Sequence, residues 1–89
     1  MIVEANARFK KAFTKRIGSN PQLIRRIEER IDLFRQNPHH PLLRNHALIG
    51  SKRGQRAFSV TGDIRIVYYV IDDGRVFLVD IGTHNQVYK

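Results

Sequence analysis

Hydrophobic residues in the first 37 positions recur every three or four residues, the spacing of one face of an α-helix. One helix is predicted from an Asn6 cap to Gly18, and a second from Asn20-Pro21 to Asn37-Pro38, because asparagine caps helices and proline fits the first helical position. Together they form a helical hairpin. Its buried faces are Phe9, Ala12, Phe13 and Ile17, and Leu23, Ile24, Ile27, Ile31 and Phe34.

The second half of the chain changes to the alternating pattern of β-strands. Three strands are predicted, at residues 55–60, 64–71 and 75–81, and Asp73-Gly74 is a strong signal for a tight hairpin between the last two. Residues 1–5 are also β-prone, and residues 38–54 are predicted to be a loop. We therefore expect a single α+β domain over residues 1–89: a short N-terminal strand, a helical hairpin and a three-stranded antiparallel meander, with the helices packed on one face of the sheet.

The predicted hairpin turn also fixes which residues of the last two strands face each other. If Asp72 pairs with Arg75, then Arg65 lies opposite Gly82, which leaves a gap over its side chain. A bulge or a slip of one residue would move side chains to the other face, so this register depends on the turn.

In the same register Asp63 lies opposite His84, two residues from Arg65. Residues two apart share a face, and opposed side chains are about 5 Å apart, so a carboxylate, a guanidinium and an imidazole are expected to converge. This set suits RNA cleavage without a metal: His84 exchanges protons, Arg65 stabilises the phosphorane, and Asp63 orients His84 or acts as the base. Three simpler interpretations stay open: a turn aspartate, a surface arginine and a solvated histidine.

The positive net charge also favours a protein that acts on nucleic acid. Sixteen Lys and Arg oppose eight Asp and Glu, a net charge of +8. Residues 33–62 contain no acidic residue, and their cations are Arg35, Arg44, Lys52, Arg53 and Arg56. Such an excess is typical of proteins that bind nucleic acid. An acidic protein partner and a membrane surface are the alternatives.

Several classes of site are disfavoured. Without cysteine there is no disulfide or thiolate-metal site. His39 and His40 are adjacent, the carboxylates are too dispersed for a magnesium nuclease, and no glycine-rich phosphate loop opens a helix. We therefore expect no metal and no cofactor.

No apolar run approaches the roughly 18 residues of a membrane span, and Glu4 and Arg8 interrupt any signal-peptide core, so a cytoplasmic protein is expected.

Three segments carry a family resemblance: NHALIG at 45–50, GDIRIVY at 62–68 and DIGTHNQVY at 80–88. In this order and spacing, over nearly the whole chain, they resemble the RelE/YafQ superfamily of toxins from bacterial and archaeal type II toxin–antitoxin modules. The resemblance implies a RelE-like fold. It also implies a ribosome-dependent mRNA endonuclease that a cognate antitoxin protein holds inactive.

The resemblance also implies roles for individual residues. His46, Asp63 and His84 match acid–base positions of YafQ-like members, and Arg65 matches an arginine that contacts the scissile phosphate in RelE-like members. The catalytic residues implied are thus His84, Asp63, Arg65 and His46. The resemblance also matches a basic residue near Arg56 and an aromatic at Tyr88. The residues we predict to bind RNA are Lys52, Arg53 and Arg56, which would hold phosphates, and Tyr88, which would stack on a base.

Ser59 departs from the family pattern, because YafQ-like members carry a further histidine there. The general base is therefore open, and so is whether Ser59 or Arg56 shares the face of Arg65, which depends on the turn after Val60. The alternative function is a catalytically weak or inactive toxin relative that binds RNA or the ribosome and acts mainly as an antitoxin partner. A metal-dependent nuclease is a third class.

Overall fold

The structure, a computed structural model, describes residues 1–88. The predicted α+β class is confirmed, with its N-terminal strand, helical hairpin and antiparallel meander. The elements are β1 (Ile2–Ala5), α1 (Ala7–Ala12), α2 (Pro21–Gln36), β2 (His46–Ala47), β3 (Arg56–Ser59), β4 (Ile64–Asp72), β5 (Arg75–Thr83) and α3 (His84–Val87). Within residues 1–88 no helix has the length and apolar character needed to cross a membrane.

The sheet has five strands in the order β1-β5-β4-β3-β2. The meander of β3, β4 and β5 is antiparallel, β1 adds to it parallel to β5, and β2 pairs antiparallel with β3. The prediction that residues 38–54 are only a loop is wrong, because this segment contains β2 and 3₁₀ turns at Pro41–Leu43 and Gly50–Lys52. Leu43 is fully buried and holds the segment against the core.

Both predicted helix caps are present. The Asn6 side chain accepts a hydrogen bond from the backbone N–H of Phe9, and that of Asn20 accepts from two N–H groups at the start of α2. After α1 the chain widens into a π-helical turn, Phe13–Ile17, which ends when the N–H of Gly18 donates to the carbonyl of Phe13 over 3.1 Å. Gly18 has φ of 67°, a conformation that favours glycine.

The larger core lies between the helices and one face of the sheet. Phe34 of α2 stacks on Phe58 of β3, with ring centroids 4.5 Å apart, and meets the edge of Tyr68 of β4 at 4.7 Å. Phe34, Phe58 and Ile66 are 0% exposed. The predicted packing of the helices on one sheet face is confirmed.

The opposite sheet face carries a second, smaller core that centres on Ala57, Val67, Val79 and Val87. Val87 belongs to α3, a segment that was predicted from the sequence only as a tail. The Thr83 side chain accepts from the N–H of Gln86, and the Gln86 side chain accepts from the N–H of Thr83. This reciprocal capping box starts α3 where β5 ends.

The register between β4 and β5 is the predicted one where it bears on the site. Asp72 pairs with Arg75, and Arg65 pairs with Gly82. Between these pairs the ladder shifts twice, because one strand has an extra residue at Ile71 and the other at Val79. The two irregularities are on opposite strands, so their shifts cancel.

Removing the Phe34 ring tests the larger core. Phe34→Ala is expected to lower the free energy of unfolding by about 3–5 kcal/mol, because a fully buried aromatic leaves a cavity. Urea unfolding followed by circular dichroism measures the change. The control is Ile49→Ala, since Ile49 is 89% exposed and its change should stay within about 0.5 kcal/mol. Equal losses in both variants would contradict this description of the core.

Candidate active site

A cleft of about 530 Å³ opens on the sheet face opposite α1 and α2. We call it the histidine cleft, and it is lined by His46, Ala47, Leu48, Ile49, Ser51, Lys52, His84 and Tyr88. Four of the residues singled out from the sequence therefore meet in one cavity: two predicted catalytic histidines and two predicted RNA-binding residues.

His46 is held by hydrogen bonds at both ring nitrogens. Its Nδ1 lies 2.9 Å from the carbonyl oxygen of Arg44, and its Nε2 lies 3.3 Å from the hydroxyl of Tyr88. A carbonyl oxygen only accepts, so Nδ1 carries the proton and the neutral ring presents the lone pair of Nε2 to the tyrosine. Arg44 has φ of 50°, a left-handed conformation at the end of a 3₁₀ turn.

His84 and Tyr88 lie one helical turn apart and contact each other. Their ring centroids are 4.4 Å apart, the ring planes are nearly perpendicular, and the N–H of Tyr88 donates to the carbonyl of His84 over 3.1 Å. Tyr88 also meets the edge of His46 at 6.2 Å. The tyrosine thus stands between the two imidazoles.

Gly82 leaves room for the Gln86 side chain that caps α3. A Cβ at Gly82 would lie 2.6 Å from Oε1 of Gln86 and 3.0 Å from Nη1 of Arg16. The space predicted to be a gap over Arg65 is therefore occupied by the Gln86 side chain that caps α3. A larger residue at this position would disturb the capping box.

Arg65 is fixed by backbone oxygens. Its Nη1 donates to the carbonyls of Thr61 and Gly62, both at 3.1 Å, and to that of Ile64 at 3.3 Å. Burial raises the pKa of Tyr88 above the usual value for tyrosine, and the nearby Arg65 guanidinium partly opposes the rise in this pKa by its charge and hydrogen bonding. Arg65 is thus oriented next to the tyrosine of the histidine cleft.

The predicted pairing of Asp63 with His84 is wrong. The β4–β5 ladder ends at Ile64 and Thr83, because the next residue begins α3 and leaves the sheet. Asp63 lies exposed in the bend before β4, where its N–H donates to the Thr61 hydroxyl over 3.1 Å. Among residues 1–88 no hydrogen bond or ion pair joins it to His84.

The predicted RNA-binding residues separate into two groups. Lys52 and Tyr88 line the histidine cleft, whereas Arg53 is exposed outside its lining. Arg56 is half-buried and donates from Nε to the Asn45 side chain over 2.9 Å. Ser59 of β3 pairs with Arg65, and Arg56 lies three residues before Ser59. Because side chains alternate along a strand, Arg56 is on the other face of the sheet.

Ser59 pairs directly with Arg65 and is 7% exposed. The question left open by the sequence is therefore answered: Ser59, not Arg56, shares the face of Arg65.

Asn45 is a residue whose role was not predicted from the sequence. Its side-chain amide donates to the carbonyl of Pro38 over 2.8 Å and to the hydroxyl of Tyr68 over 2.7 Å, and it accepts from Arg56. These bonds tie the segment before β2 to the sheet and so place the adjacent His46. A polar residue directly before a candidate histidine is the only sequence signal of this role.

No group of three or more His, Cys, Asp or Glu side chains that could hold a metal ion is present within residues 1–88.

The chain is similar to toxins of type II toxin–antitoxin systems. A family model described as a bacterial toxin of a type II toxin–antitoxin system, YafQ, matches residues 1–89. A comparison with curated proteins found no match.

Solved structures share the fold over almost the whole chain. A mutant YafQ from E. coli superposes with a TM-score of 0.81 at 19% identity, covering 98% of this chain and 97% of that chain. In the E. coli DinJ–YafQ complex the values are 0.78 and 19%, with the same coverage. A copper-bound mutant toxin from Helicobacter pylori has a TM-score of 0.72 at 26% identity and covers 98% of both chains.

The burial of Tyr88 and the nearby positive charge of Arg65 predict how the tyrosine titrates. In the wild type the Tyr88 pKa should exceed 10, since burial disfavours the phenolate. Arg65→Gln should raise this pKa further, because it removes the cation that opposes the shift. The neutral phenol thus stabilises the fold below about pH 10, and this contribution is lost as the pH rises through the folded-state pKa.

Tyrosine Cζ resonances in NMR spectra follow this titration, and Tyr88→Phe identifies the signal. Arg53→Gln is the matched control, because Arg53 is exposed outside the cleft lining. An identical Tyr88 midpoint in wild type and Arg65→Gln would show that the guanidinium does not act on the hydroxyl.

Proposed function

Because the chain belongs to the YafQ family of bacterial toxins from type II toxin–antitoxin systems, we propose that it is an endonuclease that cleaves mRNA on the ribosome without a metal ion. One observation carries this proposal: the rings of His46 and His84 both contact Tyr88 at one cleft, with Arg65 beside the tyrosine. Two proton-exchanging groups and a cation are what phosphodiester cleavage by a 2′-hydroxyl requires.

His46 is the general base in this proposal. Its Nδ1 proton is committed to the Arg44 carbonyl, so its Nε2 is the nitrogen that can take a proton. Nε2 is hydrogen-bonded to the Tyr88 hydroxyl at 3.3 Å. When the substrate displaces this hydroxyl, Nε2 removes the proton of a 2′-hydroxyl. The freed 2′-oxygen attacks the adjacent phosphorus and a P–O bond forms.

Arg65 and His84 serve the second half of the reaction. Nη1 of Arg65 is occupied by backbone carbonyls, which leaves the Nη2 donors for the phosphate oxygens as negative charge develops. Protonated His84 gives its proton to the 5′-oxygen as the bond from that oxygen to phosphorus breaks. The products are a 2′,3′-cyclic phosphate and a 5′-hydroxyl end.

Asp63 is retained as a further acid–base candidate on family resemblance alone. It does not line the histidine cleft and is not paired with His84. Lys52 and Tyr88 are proposed to hold the RNA at the cleft, Lys52 by charge and Tyr88 by stacking. Arg53 and Arg56 are proposed to contribute positive charge at the surface around it. An enzyme that acts on ribosomes works in the cytoplasm.

The proposed protein partner is a cognate antitoxin. E. coli YafQ forms a complex with DinJ, and its fold matches this chain with a TM-score of 0.78. The net charge of +8 favours an antitoxin that places acidic residues on the basic surface. Covering or displacing Tyr88 would be enough to block the histidine cleft.

A second candidate function is a toxin relative that binds RNA or ribosomes without cutting. Ser59 motivates it, because a buried serine pairs with Arg65 at the position where YafQ-like members carry a histidine. The two functions differ in whether new RNA ends are produced.

Cleavage of mRNA on programmed ribosomes tests the proposal. Wild type should create new ends, and His46→Ala, His84→Ala and Arg65→Ala should each lower the rate by about 10²–10³-fold, typical of acid–base and transition-state groups. His39→Ala is the matched control, because His39 is exposed outside the histidine cleft, and its rate should be unchanged. Primer extension maps the ends.

A substrate with hydrogen in place of the attacked 2′-hydroxyl should not be cut, and continued cutting would exclude 2′-attack. If wild type binds programmed ribosomes but produces no new ends, the non-cutting function is the correct one. Asp63→Asn in the same assay decides whether that carboxylate takes part.

A further inference from the structure

A second cavity, of about 340 Å³, is lined by four arginines and no carboxylate. We call it the arginine pocket; its cations are Arg26, Arg30, Arg44 and Arg65. Two of them come from α2, one from the segment before β2 and one from β4. Elements distant in sequence therefore bring positive charge to one place.

Most of the charges in the arginine pocket have no carboxylate partner within the described residues, and two of them are oriented by backbone carbonyls. Nη1 of Arg30 donates to the carbonyl of Leu42 over 3.3 Å, as Arg65 does to the carbonyls of the bend before β4. Within residues 1–88 only Arg26 of the four has an ion pair, with Glu29 at 3.9 Å and with both side chains about half exposed. Like charges gathered in this way repel one another unless an anion joins them.

The arginine pocket adjoins the histidine cleft. Arg65 lines the pocket, and it pairs with Gly82 at the end of β5, which leads directly into α3 and the His84 and Tyr88 side chains of the cleft. Arg44 also lines the pocket, and its carbonyl oxygen accepts from Nδ1 of His46 in the cleft. A strand that places one phosphate at Arg65 therefore reaches the arginine pocket with the next part of its backbone.

We propose that the arginine pocket binds a backbone phosphate of the RNA substrate next to the phosphate that is cleaved. The inference rests on the function proposed above, because it takes Arg65 as the contact to the scissile phosphate. Planar guanidinium forks match phosphate oxygens. The half-exposed Leu42 at the pocket offers an apolar surface to a ribose or base. RNA is favoured over an acidic polypeptide by the continuity with the cleft.

The test measures binding of an uncleavable RNA, a 2′-O-methyl 12-mer of mixed sequence, by fluorescence anisotropy from 50 to 200 mM KCl. The variant is R26Q/R30Q, because both residues lie on α2 and outside the histidine cleft. The matched control is R25Q/R35Q, which removes the same charge from the same helix at positions outside the pocket lining. Thermal unfolding verifies that all proteins are folded.

R26Q/R30Q is expected to weaken binding about tenfold and to reduce the slope of log K against log salt by about 0.7 for each phosphate that the variant no longer neutralises. The control should change neither by more than about twofold. The oligomer is also shortened from its 5′ side or from its 3′ side. Only the truncation that removes the nucleotides in the pocket should abolish the difference in affinity between variant and wild type.

Equal losses of affinity in the variant and the control would overturn the inference, since they would reflect net charge alone. So would a wild type that does not bind the oligomer at any salt concentration. If R26Q/R30Q leaves RNA binding intact but weakens an Asp- and Glu-rich antitoxin peptide, the pocket belongs to a protein partner. Pocket-dependent binding by a wild type that makes no new mRNA ends would contradict only the proposed cleavage.

Discussion

The burial of Val87 determines where the candidate site lies. This side chain is 0% exposed and packs in the smaller core with Val67 and Val79, a burial that contributes about 1.5–3 kcal/mol. A helix of four residues does not persist by itself, so α3 depends on this contact and on its capping box. His84 and Tyr88 flank Val87 at a spacing of four residues, which stacks their rings on one side of the turn.

Positive charge is treated differently in the two halves of the molecule. At the edge of β5, Arg16 donates from Nη1 to Asp80 at 3.0 Å and to the carbonyl of Ile81 at 3.1 Å, and Arg8 approaches the same carboxylate at 3.5 Å. Those arginines complete the fold, because they serve a buried carboxylate and a strand edge beyond the end of β1. Within residues 1–88 the cations around the two cavities have no buried carboxylate partner, and the one ion pair among them, Arg26 with Glu29, is solvent-exposed, so these cations remain available to a polyanion.

The features predicted correctly from the sequence were those set by local chemistry. Asn20 caps a helix by its own side chain, and Asp73-Gly74 fixes a turn. The predicted pairing of Arg65 holds because the two shifts of the ladder between the turn and Arg65 cancel. The capping box of Thr83 and Gln86 was equally local, but α3 is too short to show periodicity and was missed. The position of Asp63 was not predictable in this way. The ladder ends where α3 leaves the sheet, and α3 persists there through the burial of Val87 together with its capping box.

The two hydrogen bonds of His46 differ in how easily substrate can break them. The bond from Nδ1 to the Arg44 carbonyl is made to backbone that the Asn45 side chain anchors to the sheet. The bond at Nε2 is made to the Tyr88 hydroxyl, whose ring is only half-buried and can turn towards a base. Stacking of a base on Tyr88 would therefore free Nε2 while the tautomer stays fixed. In the proposed reaction, the event that positions the RNA also releases its proton acceptor.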